Sequence, residues 1–301
     1  MAETPKWMKV LAGIVAGLAA LYGLTLIPWS GGTAAKVRPP ADPVKLLVDS
    51  PRGRVTLEKN GEAWRLTEPV PWPADEEAVQ KLTVGLKNLV LESVVSRRLE
   101  TRDRYELDDA KAVRLTAWGK ESIPFTISLG KNAGYSNRAY VLFGKEPAVY
   151  LASGLSRDEA DLPPARWRDR RVFARTDIVR LRVTRGQDVF TLEKSSTAWT
   201  VNSAPADLAK ADAFVSDLRT LAADDLVDPP GSDDLKKYGL DVPSAEWEVS
   251  FSTGAPVSLA FGTGDPRPLR RDGEKTIFLI PAYRAATLDK SAKDFVATSS
   301  R

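Results

Sequence analysis

Val55–Leu66 reads VTLEKNGEAWRL and Phe190–Val201 reads FTLEKSSTAWTV, which places Trp64 and Trp199 at matching points 135 residues apart. In each stretch TLEK alternates apolar with charged residues and a short polar run precedes the Trp, the pattern of a strand, a tight turn and a second strand. The match continues outward in order. Asp75 and Asp207 each open an amphipathic stretch, within which Leu82, Leu86 and Leu89 align with Phe214, Leu218 and Leu221 at a separation of 132. Apolar positions recurring at such intervals lie on one face of a helix. Further on, Tyr105 and Leu107 align with Tyr238 and Leu240, ISLG ending at Gly130 aligns with LAFG ending at Gly262, and AVYLA around Tyr150 aligns with TIFLI around Phe278. Landmarks that keep their order at nearly constant offset indicate a tandem duplication.

Each copy reads as three strands, a helix and a further set of strands closing on a short helical tail. This predicts an α+β fold in which the helix covers one face of an antiparallel sheet. Copy one is expected over residues 44–173 and copy two over residues 174–301. Asp75-Glu76-Glu77, Asp108-Asp109, Asp224-Asp225 and Asp233-Asp234 fall mostly at expected helix starts, where carboxylates cap free N–H groups and favour the helix dipole. Within Tyr238-Gly239-Leu240-Asp241-Val242-Pro243, Gly239 can take the left-handed conformation that stops a helix, and Pro243 forbids continuation.

Upstream of the repeat, Val10 to Trp29 (VLAGIVAGLAALYGLTLIPW) contains no charged residue. As a helix rising about 1.5 Å per residue it would reach roughly 30 Å, the thickness of a bilayer's hydrocarbon core. A transmembrane helix is therefore expected over residues 10–29. Trp7 and Trp29 stand where indoles favour the headgroup interface, and Lys6 and Lys9 supply the cationic flank that stays cytoplasmic, so residues 1–9 are assigned to the cytoplasm and the body to the periplasm. Thr33-Ala34-Ala35 offers a cleavage site for the alternative of a signal peptide, although the apolar run exceeds the usual length of a signal core. Gly13 and Gly17, with Ala12, Ala16 and Ala20 beside them, form a small-residue face that suits close packing against a partner helix or a homodimer. Residues 30–43, rich in Gly, Ala and Pro, read as a linker.

The chain of 301 residues has 43 basic and 40 acidic side chains, and neither Cys nor His. The missing residue types exclude a thiol nucleophile, a Ser-His-Asp triad, His-ligated zinc and disulfides. Residues 1–43 hold two of the three net positive charges, leaving the exported part at +1. That is no footprint for nucleic acid. Gly262-Thr263-Gly264-Asp265 lacks the third glycine and the following helix of a dinucleotide fingerprint, so it reads as a turn. No cofactor, metal or catalytic residue is expected.

Two constellations carry binding alternatives. Arg166-Trp167-Arg168-Asp169-Arg170-Arg171, at the joint between copies, can hold an acidic partner or anionic ligand through Arg166, Trp167, Arg168, Arg170 and Arg171, or can pair with acids of copy two. Trp64 and Trp199 are expected as sheet anchors, with sugar stacking as the alternative.

The Tyr238–Pro243 phrase, the Ala63-Trp64 and Ala198-Trp199 strand ends, the N-terminal apolar run and the basic segment Trp167–Arg171 together resemble the bacterial domain-of-unknown-function family 4340, over nearly all of residues 44–298. Copy one departs from its pattern, with Glu106 in place of the glycine and no proline in the Asp108-Asp109-Ala110 run that follows. The resemblance implies an inner-membrane protein accessory to an ABC-type transport or motility complex. A non-catalytic periplasmic binding or scaffolding subunit is the resulting expectation, with a glycan-binding module and a carboxylate-dependent glycoside hydrolase as alternatives.

Overall fold

The computed structural model describes residues 37–297 except 121–122, 135–136, 145–147, 197 and 229–231. The expected membrane helix, with Ala12, Gly13, Ala16, Gly17 and Ala20, and the first part of the linker lie outside the described residues. Among the described residues no helix is long and apolar enough to cross a membrane.

Copy one folds as β1 (Lys45–Ser50), β2 (Gly53–Asn60), β3 (Ala63–Glu68), β4 (Trp72–Pro73), α1 (Glu76–Lys87), β5 (Val90–Ser96), β6 (Val113–Trp118), β7 (Pro124–Asn132), β8 (Arg138–Phe143), β9 (Val149–Ser153) and α2 (Arg157–Ala160). Copy two repeats the series as β10 (Ile178–Arg185), β11 (Asp188–Lys194), β12 (Trp199–Val201), β13 (Ala204–Pro205), α3 (Leu208–Arg219), β14 (Asp225–Val227), α4 (Ser232–Lys237), β15 (Ala245–Phe251), β16 (Val257–Phe261), β17 (Arg267–Arg271), β18 (Ile277–Ile280) and α5 (Ala282–Leu288). A two-residue strand, β4 or β13, precedes the main helix in each copy, one more than the three strands expected there.

The strands form two nine-stranded sheets, ordered β4-β3-β2-β1-β6-β7-β8-β9-β5 and β13-β12-β11-β10-β15-β16-β17-β18-β14. Each strand of the second sheet occupies the place of its counterpart in the first. The duplication is thus present in topology as well as in sequence.

The helices form where caps and an apolar face coincide. The Asp75 Oδ1 accepts the Ala78 N–H at 2.9 Å at the start of α1, and the Asp207 side chain accepts the Lys210 N–H at 3.2 Å at the start of α3. On α1 the side chains of Val79, Leu82 and Leu86 are buried; on α3 those of Ala211, Phe214, Val215 and Leu218 are. The α3 face shares one core with Leu181, Val183, Leu192, Trp247 and Val249 of the second sheet. Along β15 the alternation of buried Ala245, Trp247, Val249 and Phe251 with exposed Glu246 and Glu248 shows that only one face of that sheet meets the helix. Each large apolar side chain so enclosed contributes roughly 1.5–3 kcal/mol.

The compact units do not follow the copies. One contains the described residues up to Thr56 together with Gln80–Asp161; the other contains Leu57–Val79 together with the chain from Leu162 onward. The second unit therefore includes β3, β4 and the start of α1 from the sequence of copy one.

The Tyr-x-Leu landmarks are the same turn twice. After α4 the Leu240 N–H bonds the Leu235 carbonyl at 2.8 Å and the Gly239 N–H bonds that of Lys236 at 3.0 Å, with Gly239 at φ +62°. In copy one the Leu107 N–H bonds the Arg102 carbonyl at 2.9 Å and the Glu106 N–H bonds that of Asp103 at 3.0 Å, with Glu106 at φ +57°. This is the Schellman stop in both copies, and Glu106 adopts it at a cost of roughly 1–2 kcal/mol that glycine avoids. Its carboxylate pairs with Arg157 at 3.0 Å, which offsets part of that strain. The strand-ending glycines complete the arrangement. A Cβ on Gly130 would collide with the Tyr105 carbonyl oxygen, and one on Gly262 with the Tyr238 carbonyl oxygen.

Gly262→Ala is therefore expected to lose roughly 2–4 kcal/mol of stability, because backbone meets backbone and neither can yield. Glu106→Gly, which exchanges left-handed strain for a lost ion pair, should change stability by less than about 1 kcal/mol. Chemical denaturation of both variants checks this; equal losses would contradict the shared-turn account.

Candidate functional site

The joint segment is assembled from short-range constraints before it offers any chemistry. Pro164–Trp167 forms one turn of 3-10 helix with Pro at its start, and Trp167 is fully buried, its Nε1–H donating to the Leu162 carbonyl at 3.2 Å. The Trp167 carbonyl accepts the Asp75 N–H at 2.8 Å, and the Asp169 N–H donates to the Pro73 carbonyl at 2.8 Å. Segment 57–79 and the joint thus lie side by side within the second unit.

Arg168 is 4% exposed. Its guanidinium grips Asp228 with two nitrogens, and Nη2 reaches the Thr276 hydroxyl at 3.4 Å; that hydroxyl in turn donates to Asp228. The flat of the guanidinium lies 4.3 Å from the Trp72 ring centroid. Arg271 lies 5.7 Å from the same ring and 4.9 Å from Phe278, while the Trp72 Nε1–H donates to the Asp169 carbonyl at 2.8 Å. Burial pushes the Arg168 guanidinium down, to about 10, against the opposing pull of the Glu274 and Asp225 carboxylates. It remains a cation at neutral pH. Carboxylate, hydroxyl and aromatic face together hold the buried guanidinium as a structural group, with its Nη atoms bonded and its buried Nε–H without a hydrogen-bond partner among the described residues.

The other joint residues are distributed unevenly. Arg171 is exposed but bonded by Nη2 to Asp169 at 2.7 Å, and that hydrogen bond raises its pKa. Arg170, half-buried, lies 3.4 Å from the Ala223 and Asp224 carbonyls and 3.9 Å from Asp75. Arg166 is exposed. Of the two roles open to this cluster, pairing with an acid of copy two is the one Arg168 fills, through Asp228.

Trp199 is 1% exposed and donates its Nε1–H to Asp212 at 2.8 Å, whereas Trp64 is half-buried. A matched pair of open indoles for sugar stacking is not formed. The acid pairs serve locally: Asp108 accepts the Ala110 N–H at 3.1 Å, Asp225 its own neighbour Leu226 at 2.8 Å, and Asp109 faces Arg114 at 3.2 Å. Tyr105 packs against Tyr140 with ring centroids 4.5 Å apart and the rings tilted by 46°, and the Tyr238-Gly239-Leu240 turn buries Leu240 while leaving Asp241 exposed and Pro243 half-buried.

Sequence reasoning missed a different surface. On the face of the second sheet turned away from α3, a concavity of about 360 Å³ is lined by Arg182, Glu246, Glu248, Ser258, Ala260, Arg270 and Asp272, among others. Strand register arranges them in rows. Arg182 stands opposite Glu248 and Thr184 opposite Glu246; Glu248 in turn faces Ser258, Glu246 faces Ala260, and Ala260 faces Arg270. Asp272 closes the first row, its N–H bonding the Ser258 carbonyl at 2.9 Å. Small side chains on β16 form the floor, and charges rise on both sides. The signal lies in the outward positions of RLRV and AEWEV, which apolar landmarks do not mark.

The chain belongs to the family described as "Domain of unknown function (DUF4340)", whose model matches residues 64–243 and 199–300. The two matches begin on Trp64 and Trp199, the paired landmarks of the repeat. No curated protein and no solved structure matches the chain.

Trp72→Ala is expected to destabilise the second unit by roughly 3–5 kcal/mol, since it opens a cavity beneath two guanidiniums. Trp72→Phe, which keeps an aromatic ring but loses the bond to Asp169, should cost nearer 1–2 kcal/mol. Thermal or urea unfolding followed by circular dichroism measures both; a loss under about 1 kcal/mol in Trp72→Ala would refute the core role of this residue.

Proposed function

We propose that this family member is a membrane-anchored periplasmic binding or scaffolding subunit, accessory to an ABC-type transport or motility complex and without catalytic activity of its own. The observation that carries this reading is the uncharged run Val10–Trp29 preceding a duplicated body. A span of that length holds a chain in the bilayer, and the cationic flank at Lys6 and Lys9 directs the body outward.

Three features support a binding role over a chemical one. The sequence has no imidazole or thiol, which removes the commonest nucleophiles and general bases at neutral pH. The buried Arg168–Asp228 pair is engaged within the fold by Thr276 and Trp72. The charged concavity is open to solvent, with strand residues as its floor, as suits a docking surface. Small residues at Gly13, Gly17, Ala12, Ala16 and Ala20 provide the face through which the anchor would meet a transporter helix.

Membrane fractionation and crosslinking test the proposal. The full-length chain should resist extraction by alkaline carbonate, its body should be digested by protease supplied from the periplasmic side, and crosslinking in membranes should recover a polytopic partner. Replacing Gly13 and Gly17 by Leu should reduce that crosslink several-fold. Recovery of the intact chain in the soluble fraction, or of monomer alone after crosslinking, would contradict the reading.

A further inference from the structure

The duplication supplies an internal comparison for the concavity on the second sheet. Register equates Leu47, Thr116 and Thr126 of the first sheet with Arg182, Glu248 and Ser258 of the second, and Arg114, Ser128 and Leu142 with Glu246, Ala260 and Arg270. Both sheets have the same topology, so the fold does not require the charges. In the first sheet the corresponding polar groups find partners within the chain: the Thr116 and Thr126 hydroxyls bond at 3.1 Å, Thr116 is buried, and the exposed Arg114 is paired with Asp109 at 3.2 Å. In the second, the side chains of Arg182, Glu246, Glu248 and Arg270 make no hydrogen bond or ion pair among the described residues. Solvent-accessible charges of both signs, without partners among the described residues, stand over a floor of Ser258 and Ala260, where the sister sheet has hydroxyls that bond each other.

The rows define what would fit. Neighbouring strands lie about 4.8 Å apart and alternate residues along a strand about 6.8 Å apart. In one row Glu248 and Asp272 flank Ser258 from the strands on either side, a setting for a cation. In the next row Arg270 stands beside Ala260, with Glu246 across from it, a setting for a carboxylate held toward Arg270. An extended chain lying along β16 repeats its downward side chains at the spacing of these rows. We propose that this face docks an extended segment of a partner polypeptide carrying a basic side chain and, two residues along, an acidic one. Charge complementarity of this kind contributes selection and register more than raw affinity. The inference rests on the binding role of the body and is independent of the membrane anchor.

The test uses the detergent-solubilised full chain at low salt and three blocked, fluorescein-labelled peptides of twelve residues, repeating Lys-Thr-Glu-Thr, Lys-Thr-Lys-Thr or Glu-Thr-Glu-Thr. Fluorescence anisotropy should show the mixed peptide binding roughly tenfold more tightly than either control, a difference of about 1.4 kcal/mol. Arg270→Glu should transfer the preference to Lys-Thr-Lys-Thr, and Arg270→Gln should erase the advantage of the mixed peptide without reversing it. Melting curves matching those of the parent protein establish that the variants are folded. Equal binding of all three peptides, no binding of any, or a preference untouched by both Arg270 variants overturns the proposal. So does equally tight binding of free lysine, which would make the site one for small zwitterions, or self-association abolished by Arg270→Glu, which would make a second copy the occupant. A soluble chain that still discriminates among the peptides would refute the membrane placement and leave this site standing.

Discussion

A single indole organises the second compact unit. Trp72 lies in the apolar core of copy two, 9% exposed, with Arg168 on its face at 4.3 Å and its N–H committed to the Asp169 carbonyl. Guanidiniums tolerate such surroundings because their charge is delocalised and weakly hydrated, but only when carboxylate and hydroxyl partners replace the lost water. Asp228 and Thr276 are those partners. The arrangement requires Trp72, so residues 57–79 are as much a part of the second unit as the sheet that follows.

Two copies of one sequence have therefore kept a topology while dividing their tasks. The Schellman turn and the glycine beneath the Tyr carbonyl recur in both, and copy one retains the turn even though Glu106 must adopt a conformation that glycine adopts freely. Features demanded by the backbone persist. Features demanded only by side chains have diverged: Trp72 corresponds to the exposed Ala204 on β13, and the hydroxyl pair of the first sheet corresponds to Glu248 and Ser258.

The reading of the sequence was strong where a local rule decides the outcome. Periodicity located the buried faces of α1 and α3, and the positions of Asp75 and Asp207 located their caps. The offset of matching landmarks revealed two equivalent sheets. The destination of β3 and β4 was not legible, because strand periodicity says which face is buried and not against which body. A trace of it existed in the mismatch between Trp72 and Ala204, a large aromatic at a place where the other copy has a small residue. The charged concavity was hidden for a related reason. Outward-facing charges look like an ordinary solvated surface until their cross-strand partners are known. The arginines of the joint were legible as a cluster, yet only contacts could separate Arg168, enclosed and neutralised, from Arg166, which faces solvent.

Hydrogen exchange by mass spectrometry on a chain destabilised at α3 by Phe214→Ala addresses the central claim most directly. If Trp72 and its strand belong energetically to the second unit, amides of residues 63–74 will exchange faster in step with those of β10 and β15, while β6 to β8 keep their protection. Acceleration confined to β10 through β18, with residues 63–74 unchanged, would contradict the account.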